Sequence, residues 1–255
     1  MPSIHDAAAR GYSARAETYR SGRPDYPAEV AGWLRDVIGL APGRVVVDLG
    51  AGTGKFLPWL RGTGARTIAV EPVAAMRDKL AADNPDIECL AGTAEAIPLP
   101  PASADAVICA QSFHWFANAA ALAEIRRVLA PGGMLGLIWN VRDESVDWVA
   151  RLSAITDAHQ GDAPRYKSGA WRNLFPAEGF AAVGEAHFRH AHIGPADQVV
   201  LDRTLSTSFI AALPPAGQEA VAARVRALIA STPALAGEET AFPYETAAFA
   251  FRKTD

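Results

Sequence analysis

Val45-Val46-Val47-Asp48-Leu49-Gly50-Ala51-Gly52-Thr53-Gly54 is the stretch on which the reading of this chain turns. Three consecutive valines predict a buried strand, because β-branched side chains pack well on a pleated surface. Asp48 stands near its end, and three alternating glycines follow at once. Glycine lets the backbone turn sharply and approach a ligand where a Cβ would clash. A helical pattern from Lys55 to Arg61 comes next, so strand, loop and helix together open a nucleotide-binding α/β unit. The spacing G-x-G-x-G departs from the dinucleotide fingerprint G-x-G-x-x-G at the third glycine. A carboxylate at Asp48 also suits a cationic ligand group better than a pyrophosphate.

A second apolar run, Thr67-Ile68-Ala69-Val70, ends in Glu71, about 20 residues beyond the first glycine. An acidic side chain at the tip of the second strand holds a ribose diol by paired hydrogen bonds. Glu71 therefore favours an unphosphorylated adenosine ribose.

Four segments now occur in order. Asp48–Gly54 resembles the glycine loop of class I S-adenosylmethionine-dependent methyltransferases, and Val70-Glu71-Pro72 resembles their ribose motif. The stretch Ala91-Gly92-Thr93-Ala94-Glu95-Ala96-Ile97-Pro98 resembles their adenine-contacting loop. Leu129-Ala130-Pro131-Gly132-Gly133-Met134-Leu135 resembles the turn into their fifth strand. The resemblance is specific over residues 30–142. It implies S-adenosyl-L-methionine as cofactor, with Gly50, Ala51, Gly52 and Gly54 cradling the methionine moiety and Asp48 accepting from its ammonium. Glu71 and Pro72 would hold the ribose, and Thr93 and Ala94 the adenine. Thr93 stands where the family often has Asp, and its hydroxyl is a weaker acceptor. Arg23, ahead of Pro24, resembles a family position that pairs with the donor carboxylate, a task suited to a planar guanidinium.

The fourth strand ends in Ala110-Gln111-Ser112-Phe113-His114-Trp115-Phe116. Gln111 is placed with the cofactor and Trp115 with the substrate pocket. The Asn/Asp-Pro-Pro-aromatic motif of amino-methyltransferases is missing there, which lowers the nucleic-acid reading. The His-Trp-Phe run instead resembles a small-molecule group of the family that includes trans-aconitate methyltransferase. His114 has two readings: a general base for a hydroxyl acceptor, or a histidine that packs and hydrogen-bonds locally. Tyr12 and Tyr19 belong to an N-terminal lid, and Trp139 and Arg142 follow the fifth strand into the acceptor pocket. Arg142 either holds an anionic acceptor or pairs with Asp143 or Glu144 at the surface.

Composition sets the outer bounds. With 255 residues, half of them hydrophobic, the chain can bury a sizeable core. A net charge of −4 argues against a general nucleic-acid binder. No run approaches the length of a membrane span, and no basic-then-apolar leader opens the sequence, so a cytoplasmic location is expected. Cys89 and Cys109 fall in expected strands and read as small buried hydrophobes; no zinc-ligand spacing is visible, and no metal is expected.

Periodicity places strands at 44–49, 67–71, 87–90, 105–110, 134–139, 181–190 and 242–252. Helices are expected at 5–20, 28–39, 54–61, 73–82, 118–129, 145–159 and 169–179, with 196–231 mostly helical and broken at Pro214-Pro215. Alternating strands and helices predict an α/β, doubly wound and mostly parallel sheet with helices on both faces. The resemblance implies seven strands, the last two in an antiparallel hairpin, with helical cap insertions at 143–168 and 194–235. Residues 1–27 form the expected lid, 28–142 the donor-binding core, and 143–255 the rest of the sheet with its caps. The expected activity is methyl transfer to a small molecule, at a hydroxyl or carboxylate oxygen, by a monomer. A non-catalytic donor-binding protein and a nicotinamide-dependent oxidoreductase stand as alternatives.

Overall fold

The structure is a computed structural model and describes residues 24–254; Tyr12, Tyr19 and Arg23, with the expected helix over 5–20, lie outside them. Seven strands form one sheet: β1 (Val45–Leu49), β2 (Arg66–Val70), β3 (Glu88–Leu90), β4 (Ala104–Ala110), β5 (Leu129–Arg142), β6 (Phe180–Gly194) and β7 (Thr240–Lys253). Their order is β3-β2-β1-β4-β5-β7-β6. Strands β1 to β5 run parallel, whereas β7 is antiparallel to both β5 and β6. The order reverses direction between β1 and β4. That switch point opens a crevice at the carboxyl ends of the two strands, where ligands of doubly wound sheets bind.

The valines of β1 show how the core is divided. Val46 joins one apolar cluster with Trp33, Leu34, Phe56 and Leu60, while Val47 joins another with Phe113, Ile125 and Trp139. Successive strand residues point to opposite faces, so both faces need cover. Helices α1 (Glu29–Asp36), α2 (Leu57–Arg61) and α3 (Ala74–Asp83) precede α4 (Ala119–Val128) in the chain. Val30, Trp33 and Leu34 of α1 are buried; each large apolar side chain removed from water contributes about 2 kcal/mol. Gly136 of β5 permits this approach, since a Cβ there would lie 2.9 Å from the Trp33 ring and 2.6 Å from Ile108.

A third cluster is separate from the sheet faces. It joins Trp148, Val149 and Leu152 of α5 (Asp147–Asp157) to Val221, Val225 and Leu228 of α6 (Pro215–Ala230), with Val199, Val200 and Ile210 between. Phe242 and Tyr244 of β7 root it on the sheet. Among the described residues no helix is long and apolar enough to cross a membrane.

Several elements differ from expectation. The helix expected from 54 begins only at Leu57, because Gly54 has φ +84°. The helix expected over 169–179 shrinks to a 3-10 turn, Ala170–Leu174. Phe175 is extended, as a residue ahead of proline tends to be, and Gly179 is left-handed at φ +75°. Strand β5 begins at Leu129 rather than 134, where the chain leaves α4 already extended. Between Gly194 and α6 the helix is divided into Asp197–Asp202, Arg203–Leu205 and Ser208–Ala211, with Thr207 extended at the last break.

Candidate functional site: two adjoining cavities

A cavity of about 190 Å³ opens at the switch point. Asp48, Gly50, Ala51, Gly52, Glu71, Pro72, Thr93, Ala94 and Gln111, nine of the eleven residues assigned from sequence to the cofactor, line it. Gly54 does not. It packs behind the loop, where a Cβ would meet Leu57 at 2.8 Å and Asn84 at 3.2 Å. Gly50 is needed for close approach: its φ is +72°, and a Cβ would lie 2.7 Å from that of Ser112. The Ser112 hydroxyl in turn donates to the Leu49 carbonyl at 2.6 Å, joining the ends of β1 and β4.

The two acids of the cavity sit in different environments. Glu71 is buried, with one carboxylate oxygen accepting from the Gly52 amide at 2.8 Å and the other from the Val73 amide at 2.9 Å. It thereby fastens the glycine loop to the end of β2. Burial raises its pKa, against the two amide hydrogen bonds and the Arg77 guanidinium, which lower it. Asp48 is 1% exposed and neither of its oxygens has a hydrogen-bond partner. Burial first, and the Glu71 charge second, push its pKa up to about 7. A carboxylate without a partner in a ligand cavity is costly unless a donor group arrives. An ammonium answers that need, so the residues present fit the amino-acid end of S-adenosylmethionine.

The opposite wall is the loop Gly92–Glu95. Thr93 Oγ1 is buried without a partner, a second polar atom open to a ligand. The loop is held by α4: Glu124 accepts from the Ile97 amide at 2.9 Å, and Arg127 donates to the carbonyls of Ile97 and Leu99 at 2.9 and 2.8 Å. Asn118 caps α4 through the Ala121 amide at 2.9 Å and donates to Glu95 at 2.9 Å. Their hold on this loop does not stand out in the sequence, because the loop residues they bind lie more than 20 residues away. Tyr26, the last aromatic of the expected lid segment, also lines the cavity, edge-on to Phe56 at 4.9 Å.

A second cavity, of about 140 Å³, adjoins the first. Gln111, Trp115, Asn140 and Arg203 line both. Gln111 has φ +58°, a left-handed conformation that a non-glycine side chain resists at a cost of about 1 kcal/mol. Its backbone N–H donates to the Ile138 carbonyl at 2.8 Å, which keeps the residue at the junction of the two cavities. His114, Trp139 and Arg142 line the second cavity and not the first. Trp139 is 1% exposed, packed against Trp171 and Tyr166, and its indole N–H donates to His114 Nδ1 at 3.1 Å. The neutral imidazole therefore carries its proton on Nε2. Arg142 forms no ion pair with Asp143 or Glu144: Asp143 accepts from Ser145, and Glu144 binds Lys167 at 2.8 Å.

The methyltransferase domain family matches residues 47–137. An uncharacterised methyltransferase-like protein of Schizosaccharomyces pombe is 38% identical over 239 residues, 92% of each chain. An uncharacterised methyltransferase of Mycobacterium tuberculosis is 41% identical over 230 residues, 89% of each. Among solved structures, a provisionally assigned type II methyltransferase of Anaeromyxobacter dehalogenans superposes with a TM-score of 0.62 at 24% identity, covering 91% of this chain and 97% of that one. That last likeness concerns fold alone. The sequence relatives, by contrast, span nearly the whole chain, and they set aside the nicotinamide-dependent alternative. S-adenosylmethionine is the methyl donor, and the chain belongs to the class I S-adenosylmethionine-dependent methyltransferase family.

Proposed function

We propose that the protein transfers the donor's methyl group to an oxygen, hydroxyl or carboxylate, of a small-molecule acceptor seated in the second cavity. The observation that carries this reading is the continuity of the two cavities through Gln111, Trp115 and Asn140. The donor supplies a methyl on a sulfonium, a good leaving group that departs as a neutral thioether. The protein's task is therefore alignment and exclusion of water. Asp48 and the glycine loop hold the amino-acid end, Glu71 the ribose diol and Thr93 the adenine. Trp115 walls the junction.

The acceptor's ionisation decides whether a base is required. A hydroxyl must lose its proton, and the His114 Nδ1 lone pair is already committed to the Trp139 N–H. A carboxylate is already ionised and nucleophilic near neutral pH. The Trp139–His114 hydrogen bond thus favours the carboxylate form of the reading, with His114 offering Nε2–H as a donor. His114→Ala tests this in a methyl-transfer assay on acids and alcohols. Turnover on acids falls by less than about tenfold, the loss of one hydrogen bond. Confinement of activity to alcohols, with a collapse of about a hundredfold or more in the variant, would make His114 the base after all.

A further inference from the structure

Arg142 is a guanidinium without an acid. It extends from β5 into the second cavity, opposite Tyr244 in register, with its face over Phe242 at 5.7 Å and Nη1 at 3.4 Å from the Thr156 hydroxyl. Among the described residues no carboxylate comes within ion-pairing distance. Two neighbouring cations, Arg165 and Lys167, have acid partners. Arg165 binds Asp157 at 2.5 Å, and Lys167 binds Glu144 at 2.8 Å and Asp157 at 3.0 Å. Both of these acids are therefore held by other cations, and Arg142 is left with the neutral hydroxyls of Thr156 and Tyr244 and the Phe242 ring, with Asp157 attracting it only from a distance. Protein packed around it desolvates the guanidinium and lowers its pKa. A desolvated cation kept unpaired in a ligand cavity is unfavourable for the empty protein and favourable once an anion enters.

Position separates this cation from the transfer point. Asn140 lines both cavities, whereas Arg142, two residues further along β5, lines only the second. Two residues of strand advance the chain by about 7 Å. An anion on Arg142 therefore sits beyond the oxygen that meets the methyl group at Gln111 and Trp115. Planar, bidentate geometry makes a carboxylate the matching anion for a guanidinium with no carboxylate of its own.

We infer that Arg142 anchors a carboxylate of the acceptor that is not itself methylated, so the acceptor is a small acid carrying a second oxygen function. The inference rests on the methyl-transfer reading above, and its test separates the two. The protein is first titrated with S-adenosylhomocysteine by calorimetry. The loaded protein is then titrated with succinate, glutarate, malate and phthalate, and with the corresponding neutral amides. At least one acid binds with Kd below about 1 mM, and its amide does not. Arg142→Met weakens that acid about thirtyfold or more, as expected for removal of one member of a desolvated charge pair, and leaves S-adenosylhomocysteine affinity unchanged. Arg142→Lys, which keeps the charge and loses the fork, falls between. Equal affinity for acids and amides, acid binding indifferent to Arg142→Met, or no acid bound by the loaded protein would each overturn the anchor. Failure of S-adenosylhomocysteine to bind at all would instead overturn the donor reading on which the anchor depends.

Discussion

Asp48→Asn probes the electrostatics of the donor cavity with a signal whose sign depends on pH. Asp48 is buried, unpartnered and beside Glu71, and its pKa rises from 3.8 to about 7. Between those values the folded chain holds a proton that the unfolded chain has lost, so this group makes stability fall as pH rises through the window. About three pKa units at about 1.4 kcal/mol each give a total near 4 kcal/mol, absent below the unfolded value and complete above the folded one. Roughly 3 kcal/mol of it accrues between about pH 5 and about pH 8.5. Asparagine is neutral throughout and similar in size. Urea unfolding of variant and wild type, without donor, gives the difference in stability at each pH, and subtraction removes every other titrating group. That difference grows by about 3 kcal/mol in the variant's favour from about pH 5 to about pH 8.5. S-adenosylhomocysteine binding moves the opposite way, weakening about tenfold or more as a charge-assisted hydrogen bond is lost. A difference that stays flat with pH would refute the unpaired, buried carboxylate on which the cavity's electrostatics rest.

Three further substitutions separate folding from binding. Gly50→Ala places a Cβ 2.7 Å from that of Ser112 at φ +72° and loses both, whereas a Cβ on Gly52, at φ +58°, meets nothing within 4 Å. Gly52→Ala therefore costs about 1 kcal/mol of backbone strain and falls mainly on donor affinity; thermal melts and calorimetry of the pair distinguish the two outcomes, and equal melting losses would contradict the geometry. Thr93→Val removes a buried hydroxyl with no partner. The empty protein gains about 1 kcal/mol and S-adenosylhomocysteine binding weakens about fivefold; a variant less stable than wild type would mean that the hydroxyl is satisfied within the protein.

The donor cavity was legible in the sequence because its determinants are local. The glycine loop, the acid at the tip of β2 and the threonine loop each carry their signal in spacing over a few residues, and the three valines mark β1 as buried. The second cavity was less legible because its determinants are contacts between distant residues. Nothing local to His114 indicates that Trp139, 25 residues on, would fix its tautomer. Nothing near Arg142 indicates that Lys167 would claim Glu144. Helix boundaries were missed where glycine or proline overrode an apolar period. Gly54 delays α2, and Phe175 ahead of Pro176 cuts the expected helix over 169–179 to a single turn. The left-handed Gln111 had no signal at all, since glycine or asparagine would ordinarily mark such a backbone.

Turnover tests most directly the proposed methyl transfer to an oxygen of a small acceptor. The protein is incubated with S-adenosylmethionine labelled in its methyl group and a panel of small acids, alcohols, amines and thiols, and labelled products are identified by mass spectrometry. Label is expected in a methyl ester or methyl ether of a small molecule, with S-adenosylhomocysteine formed in equal amount. Label confined to nitrogen or sulfur products, or recovered in protein or nucleic acid, would contradict it.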